Sequence, residues 1–177
     1  MRVLASVALC LALVACASNA PEQSDWERAH EEQTWQEGRV TLPAYPNKAN
    51  LIEFDVGTGP HFHFLVDASS LSVGSDGVVR YVLVARSPEG AENVSFEGLR
   101  CKDGEYKIYA TGSGNGTWVS TRGARWRPVE QAAGSWHRTL ANDYFCPERE
   151  PIRTVAEAID TLRRGGNPRG GDFLRNP

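Results

Sequence analysis

The chain opens on an apolar run, residues 3–15, of about 13 positions, short of the ~20 needed to cross a hydrocarbon core. Residues 17–34 are polar and acidic and read as a tether. Within them, Ser24-Asp25-Trp26-Glu27 predicts the cap of a short helix reaching Trp35. Pro43-Ala44-Tyr45-Pro46 is an extended or turning connection, since a residue before proline is pushed out of the α region.

Beyond it, apolar and polar positions alternate as in strands. Residues 51–56 and 62–67 flank the turn composition Gly57-Thr58-Gly59-Pro60. Ser75-Asp76-Gly77 reads as another turn, followed by VVRYVLVAR at 78–86. Val79, Tyr81, Leu83 and Ala85 share one face of that segment, and Val82 and Val84 lie between Arg80 and Arg86 on the other. Apolar on both sides in its middle, it is expected to be a central strand. Residues 93–102 and 105–111 flank Asp103-Gly104, a signal for a two-residue hairpin loop. That loop pairs Cys101 with Tyr106 and Leu99 with Ile108, and points all four to the core. Val94 and Phe96 have the opposite parity, so a bulge is expected at Gly98.

The period then changes to that of helices. Ser135 is placed to cap a helix through Phe145, with Trp136, Leu140 and Tyr144 on one face. A second helix is expected from Pro151 to Arg164, with Glu148 and Glu150 near its positive end. Its stripe is Ile152, Val155, Ala156, Ile159 and Leu162, and Gly165 stops it. Residues 165–177 are rich in Gly, Pro and Arg and are expected to be a disordered tail. The pattern as a whole predicts an α+β fold: a mostly antiparallel sheet with C-terminal amphipathic helices packed on one face.

Composition narrows the function classes. The 177 residues carry 19 Lys and Arg against 22 Asp and Glu, a formal charge of −3. One domain fits in that length, and the missing basic surplus argues against nucleic acid as a partner. One positive charge, Arg2, precedes the apolar run and small residues end it, the build of a signal peptide at 1–15. Leu13-Val14-Ala15-Cys16 resembles the bacterial lipobox, which implies lipidation of Cys16, palmitate included, and a tether at 16–34. Two or three acyl chains make membrane residence effectively permanent. Ala17, by the same resemblance, implies the outer membrane and a domain facing the periplasm. Of the 4 cysteines, Cys10 leaves with the signal. Cys101 and Cys146 remain, an even pair read as a disulfide in an oxidising compartment, with two free buried thiols as the alternative.

Residues 70–101, SLSVGSDGVVRYVLVARSPEGAENVSFEGLRC, together with Asp143-Tyr144-Phe145-Cys146-Pro147, resemble the CNP1-like family of bacterial lipoproteins. The likeness spans roughly residues 50–165 and implies a CNP1-like domain at 35–164 that is exported and carries this cysteine pair. It implies no activity, substrate or catalytic residue.

Candidate chemistry is sparse. His61 and His63 fall on one side of a strand and supply two of the three or four ligands a metal needs; Asp55 or Asp67 would have to complete the set, and polar surface is the plainer account. No Gly-x-Ser-x-Gly elbow occurs. Arg80 and Arg86, with Arg100 and Lys107, suit a face for carboxylates or phosphates, unless each pairs locally with Glu92, Glu97 or Glu105. TWVSTRGARWR, residues 117–127, interleaves Trp118 and Trp126 with Arg122, Arg125 and Arg127. It is either an interface cluster or two core indoles beside solvated arginines. The expectation is a non-enzymatic outer-membrane lipoprotein without cofactor. It would act as an interaction or scaffold module toward an envelope protein or polymer, with Arg80, Arg86, Trp118, Arg122 and Trp126 as candidate surface. The alternatives are an envelope enzyme or metal-dependent factor using His61 and His63, and a small-ligand binder.

Overall fold

The computed structural model describes residues 35–57, 62–132 and 136–169. Cys16 and the apolar run, the helix expected from Ser24, His61 and the end of the tail lie outside the described residues. Among the described residues, seven strands build one antiparallel sheet: β1 (Leu51–Phe54), β2 (His63–Val73), β3 (Val78–Arg86), β4 (Glu92–Arg100), β5 (Glu105–Gly112), β6 (Trp118–Ser120) and β7 (Arg127–Pro128). β1 to β6 neighbour one another in chain order, and β7 pairs with the start of β5.

β3 has the expected bounds and is buried from Val78 through Val84. Its two faces feed two cores. Val79, Tyr81 and Leu83 join Leu99, Cys101 and Tyr106 beneath Leu140, Tyr144, Phe145, Ile152 and Leu162. Val82 and Val84 join Leu65, Val94, Phe96 and Ala110 on the opposite face. Full burial of one such side chain is worth about 1.5–3 kcal/mol, so a strand buried on both sides anchors the sheet.

The second core corrects the expected bulge at Gly98. β3 and β4 pair without interruption from Val78↔Arg100 to Arg86↔Glu92. Val94 and Phe96 have opposite parity to Leu99 because they face a second core. The irregularity lies on β5, where Phe96 pairs Ala110 but Glu97 pairs Ile108, leaving Tyr109 as the extra residue. Gly98 makes room for that tyrosine. A Cβ there would stand 2.8 Å from the Tyr109 hydroxyl and 3.0 Å from Val78 Cγ1. Gly98→Val is therefore expected to lower stability by about 1–3 kcal/mol in urea unfolding, and an unchanged midpoint would contradict this packing.

The hairpin register also differs. Arg100 pairs Glu105 and Leu99 pairs Tyr106, so the connection is four residues, Cys101 to Gly104. Gly104, at φ 65°, donates its N–H to the carbonyls of Arg100 and Cys101 at 3.0 and 3.1 Å. The slide between strands is two residues, and a shift of two leaves every side chain on its own face. Cys101 thus remains fully buried and forms a disulfide with Cys146, with a Cα–Cα distance of 5.1 Å.

β2 outruns its expected end at Asp67. There Ser69 donates its N–H and hydroxyl to the Asp67 carboxylate, at 2.9 and 2.6 Å. The Ser70 hydroxyl accepts from the N–H of Val82 at 2.8 Å. Side-chain bonds replace ladder bonds across this bulge, and pairing resumes at Ser72.

Helical content is lower than expected. The segment foreseen as one helix is a single α turn, α1 (Trp136–Thr139), followed by a π turn, Leu140–Phe145. The Cys146 N–H reaches back to the carbonyl of Ala141 at 2.7 Å, the i→i−5 bond of a π turn. The last helix, α2 (Val155–Arg164), begins four residues later than Pro151. Thr154 accepts from the Glu157 N–H and Glu157 accepts from the Arg153 N–H, a variant of the capping box in which the glutamate reaches one residue beyond the N-cap. Ile152 precedes the helix and is fully buried. Gly165 closes α2 at φ 77°.

Residues 36–47, of which 43–46 were expected to be a connection, lie along the second face of the sheet. Tyr45 packs on Trp118, with ring centroids 5.2 Å apart. The Trp118 indole donates to the Pro43 carbonyl at 2.9 Å, and the Gly38 N–H donates to Asp76 at 2.7 Å.

Candidate interaction surface

Arg80 does not line a surface. Only 7% of its side chain is exposed, and its guanidinium meets Asp76, itself 5% exposed, at 2.6 Å. The β2–β3 turn supplies that carboxylate, and Glu37 from the segment crossing the sheet adds a second at 3.9 Å. Glu37 also accepts from Lys107 and the Tyr109 hydroxyl, each at 2.7 Å. Burial and the bond to Glu37 push the Tyr109 phenol up. Burial alone would raise the Asp76 carboxyl, but Arg80 and the N–H groups of Gly38 and Val78 outweigh it and hold it below the usual range.

A carboxyl lowered by folding stabilises the domain above its unfolded pKa, and that contribution is lost as pH falls through the folded value. The stability advantage over Asp76→Asn is therefore expected to shrink below about pH 4, read by urea titrations at pH 7 and pH 3. A constant difference would contradict the assignment.

Arg86 pairs Glu92 at 2.9 Å and Arg100 pairs Glu105. These are the local pairings weighed against an anion site. The Trp/Arg stretch divides differently. Trp118 is half-buried against the second core, and Trp126 lies under the cations of Arg100 and Lys107, 5.5 and 5.6 Å from its ring centre. Arg122, Arg125 and Arg127 are exposed, and no carboxylate within 4 Å pairs with them among the described residues. They line the sheet's rim, from the end of β6 to β7. Beside them Val119 is 54% exposed.

His63 meets Glu53 at 2.6 Å, both more than half exposed, at the mouth of a cleft of about 350 Å³ bordered also by Asp55 and Phe62. Neither expected third ligand joins them. Asp55 accepts from the Gly57 N–H and Asp67 is turned onto Ser69. Among the described residues no group of three metal-ligating side chains forms.

A buried polar network is absent from the sequence expectations. Glu97, 2% exposed, accepts from the Tyr81 hydroxyl at 3.1 Å and the Ser95 hydroxyl at 2.5 Å, and lies 2.9 Å from His137 Nε2. Tyr106 stacks on the imidazole with centroids 4.0 Å apart, and His137 Nδ1 is buried with no partner among the described residues. Burial, then the Glu97 charge, raises the Tyr81 phenol well above its ordinary value. The parity of Glu97 with Leu99 was the available signal. The network is enclosed, with Glu97 2%, His137 3% and Tyr81 0% exposed.

Comparison with known proteins adds a family. The model of the CNP1-like family matches residues 30–163. Cryptic neisserial protein 1 of Neisseria gonorrhoeae is 26% identical over 149 residues, covering 75% of this chain and 73% of that protein. No solved structure matches.

Proposed function

The chain belongs to the CNP1-like family, and from that premise we propose that it is a lipid-anchored, non-enzymatic interaction module of the bacterial envelope, facing the periplasm from the outer membrane. The observation that carries the export half of this reading is the Cys101–Cys146 disulfide, a bond that persists in oxidising compartments. Leu13-Val14-Ala15-Cys16 then supplies a lipid anchor. Among the described residues no helix is long and apolar enough to cross a membrane. The interaction half is supported by the rim, where Arg122, Arg125 and Arg127 are exposed beside Val119 while Arg80, Arg86, Arg100 and Lys107 are held by carboxylates.

Labelling cells with a palmitate analogue tests the anchor. The chain is expected to take up label and to sediment with membranes, and Cys16→Ser to lose both. Equal labelling and retention of the variant would overturn the anchor.

A further inference from the structure

Two backbone hydrogen bonds fix the phase of the β5–β6 ladder. The Thr121 N–H donates to the Tyr109 carbonyl, and the Ser113 N–H to the Thr117 carbonyl, each at 2.8 Å. In an antiparallel ladder the inward-facing residues alternate. Residues 117, 119 and 121 therefore turn their main-chain groups toward β5. Those of Trp118 and Ser120 point outward, where no described strand lies. An open edge is a template for another strand, and proteins usually blunt it with proline, lysine or a covering element. β6 is short, three residues, and reads Trp-Val-Ser without proline or lysine; its central Val119 is exposed, and no described strand pairs with its outer edge. At the other side of the sheet α2 packs against β1 and β2.

Charge selects the occupant. The three guanidiniums of Arg122, Arg125 and Arg127, which no described carboxylate holds, follow β6 along the same rim. Arginine's fork binds carboxylates with two parallel bonds. A strand of alternating acidic and apolar residues would meet all three features. Its backbone pairs with Ser120 and Trp118, its apolar side chains cover Val119, and its carboxylates reach the arginines. From this geometry we infer that the rim binds an extended acidic polypeptide segment by strand addition to β6. The inference rests on the interaction reading above and names the partner's chemistry.

The probe is an end-blocked decapeptide of alternating glutamate and valine, titrated against the full chain in mild detergent and followed by fluorescence anisotropy and amide exchange. Binding is expected to weaken about tenfold when Arg122, Arg125 and Arg127 are replaced by serine, and similarly between 0.05 and 0.3 M salt. The Trp118 and Ser120 amides should exchange more slowly in the complex. Ser120→Pro removes an outward-facing donor and leaves the β5 ladder bonds in place, so it should lose peptide binding with an unchanged melting temperature. A peptide N-methylated at alternate positions should bind about tenfold more weakly.

Binding indifferent to the arginines, or without amide protection, would overturn the inference. So would phosphatidylglycerol vesicles protecting the rim while the peptide does not, since that assigns it to a membrane surface. If the peptide fails but site-specific crosslinks from the rim still form in cells, the partner class is wrong and the interaction reading stands. If both are absent, both fall.

Discussion

His137→Leu is expected to destabilise the domain by about 1–3 kcal/mol, the range for leaving a buried hydrogen-bonding group without its partner. Glu97 is 2% exposed, and its Oε2 lies 2.9 Å from His137 Nε2. Without the imidazole, the carboxylate keeps only the Tyr81 and Ser95 hydroxyls. Glu97→Leu should cost a similar amount, because it strands those two hydroxyls and the imidazole. The double variant removes both ionisable groups at once, and its loss should fall short of the sum by at least ~1 kcal/mol. Urea unfolding of the four proteins at pH 7 gives the cycle. Additive losses, within about 0.5 kcal/mol, would mean that the two side chains do not act as a unit.

Breaking the disulfide is expected to have an effect of at least that size. Cys101 and Cys146 are 45 residues apart in sequence, and closing a loop of that length restricts the unfolded chain by roughly 4 kcal/mol. Replacing both by alanine is expected to cost about 2–5 kcal/mol. The sulfurs join the β4–β5 connection to the end of the π turn, so the loss should loosen the contact of that corner with Tyr81 and Leu99. In the oxidised native chain neither cysteine should react with an alkylating agent. Free alkylation together with an unchanged unfolding midpoint would refute the bond and the packing it fastens.

Strong local periodicity was legible, and long-range polar contacts were not. β3 was readable because Val79, Tyr81, Leu83 and Ala85 alternate with Val82 and Val84, so that apolar residues occupy both faces of its middle between Arg80 and Arg86. The core placement of Cys101 tolerates the difference in hairpin register because that difference is an even number of residues. Gly165 was readable because a left-handed cap has a residue preference. By contrast, Asp103-Gly104 suits both a two-residue and a four-residue connection, and the tertiary pull of Cys146 on Cys101 lies outside that dipeptide.

Asp67 to Ser70 is polar enough to resemble a loop, yet its side chains stand in for ladder bonds. The cover of the second face depends on Glu37, Gly38 and Pro43 finding Lys107, Asp76 and Trp118 far along the chain, for which no local pattern exists. Expecting one buried face made a bulge at Gly98 necessary; the second face removes the need. At the rim, the interleaving of arginine and tryptophan was visible, but which residues stay exposed depends on where Arg100 and Lys107 stack.

Contact between this rim and a partner of the domain is open to direct capture. A photocrosslinking residue placed at Val119, and in a second variant at exposed Glu89 in the β3–β4 turn, tests it in living cells. A discrete adduct is expected from position 119 that disappears when Arg122, Arg125 and Arg127 are reversed to glutamate, and none from position 89. Adducts of equal intensity from both positions, or an adduct at 119 that survives charge reversal, would contradict it.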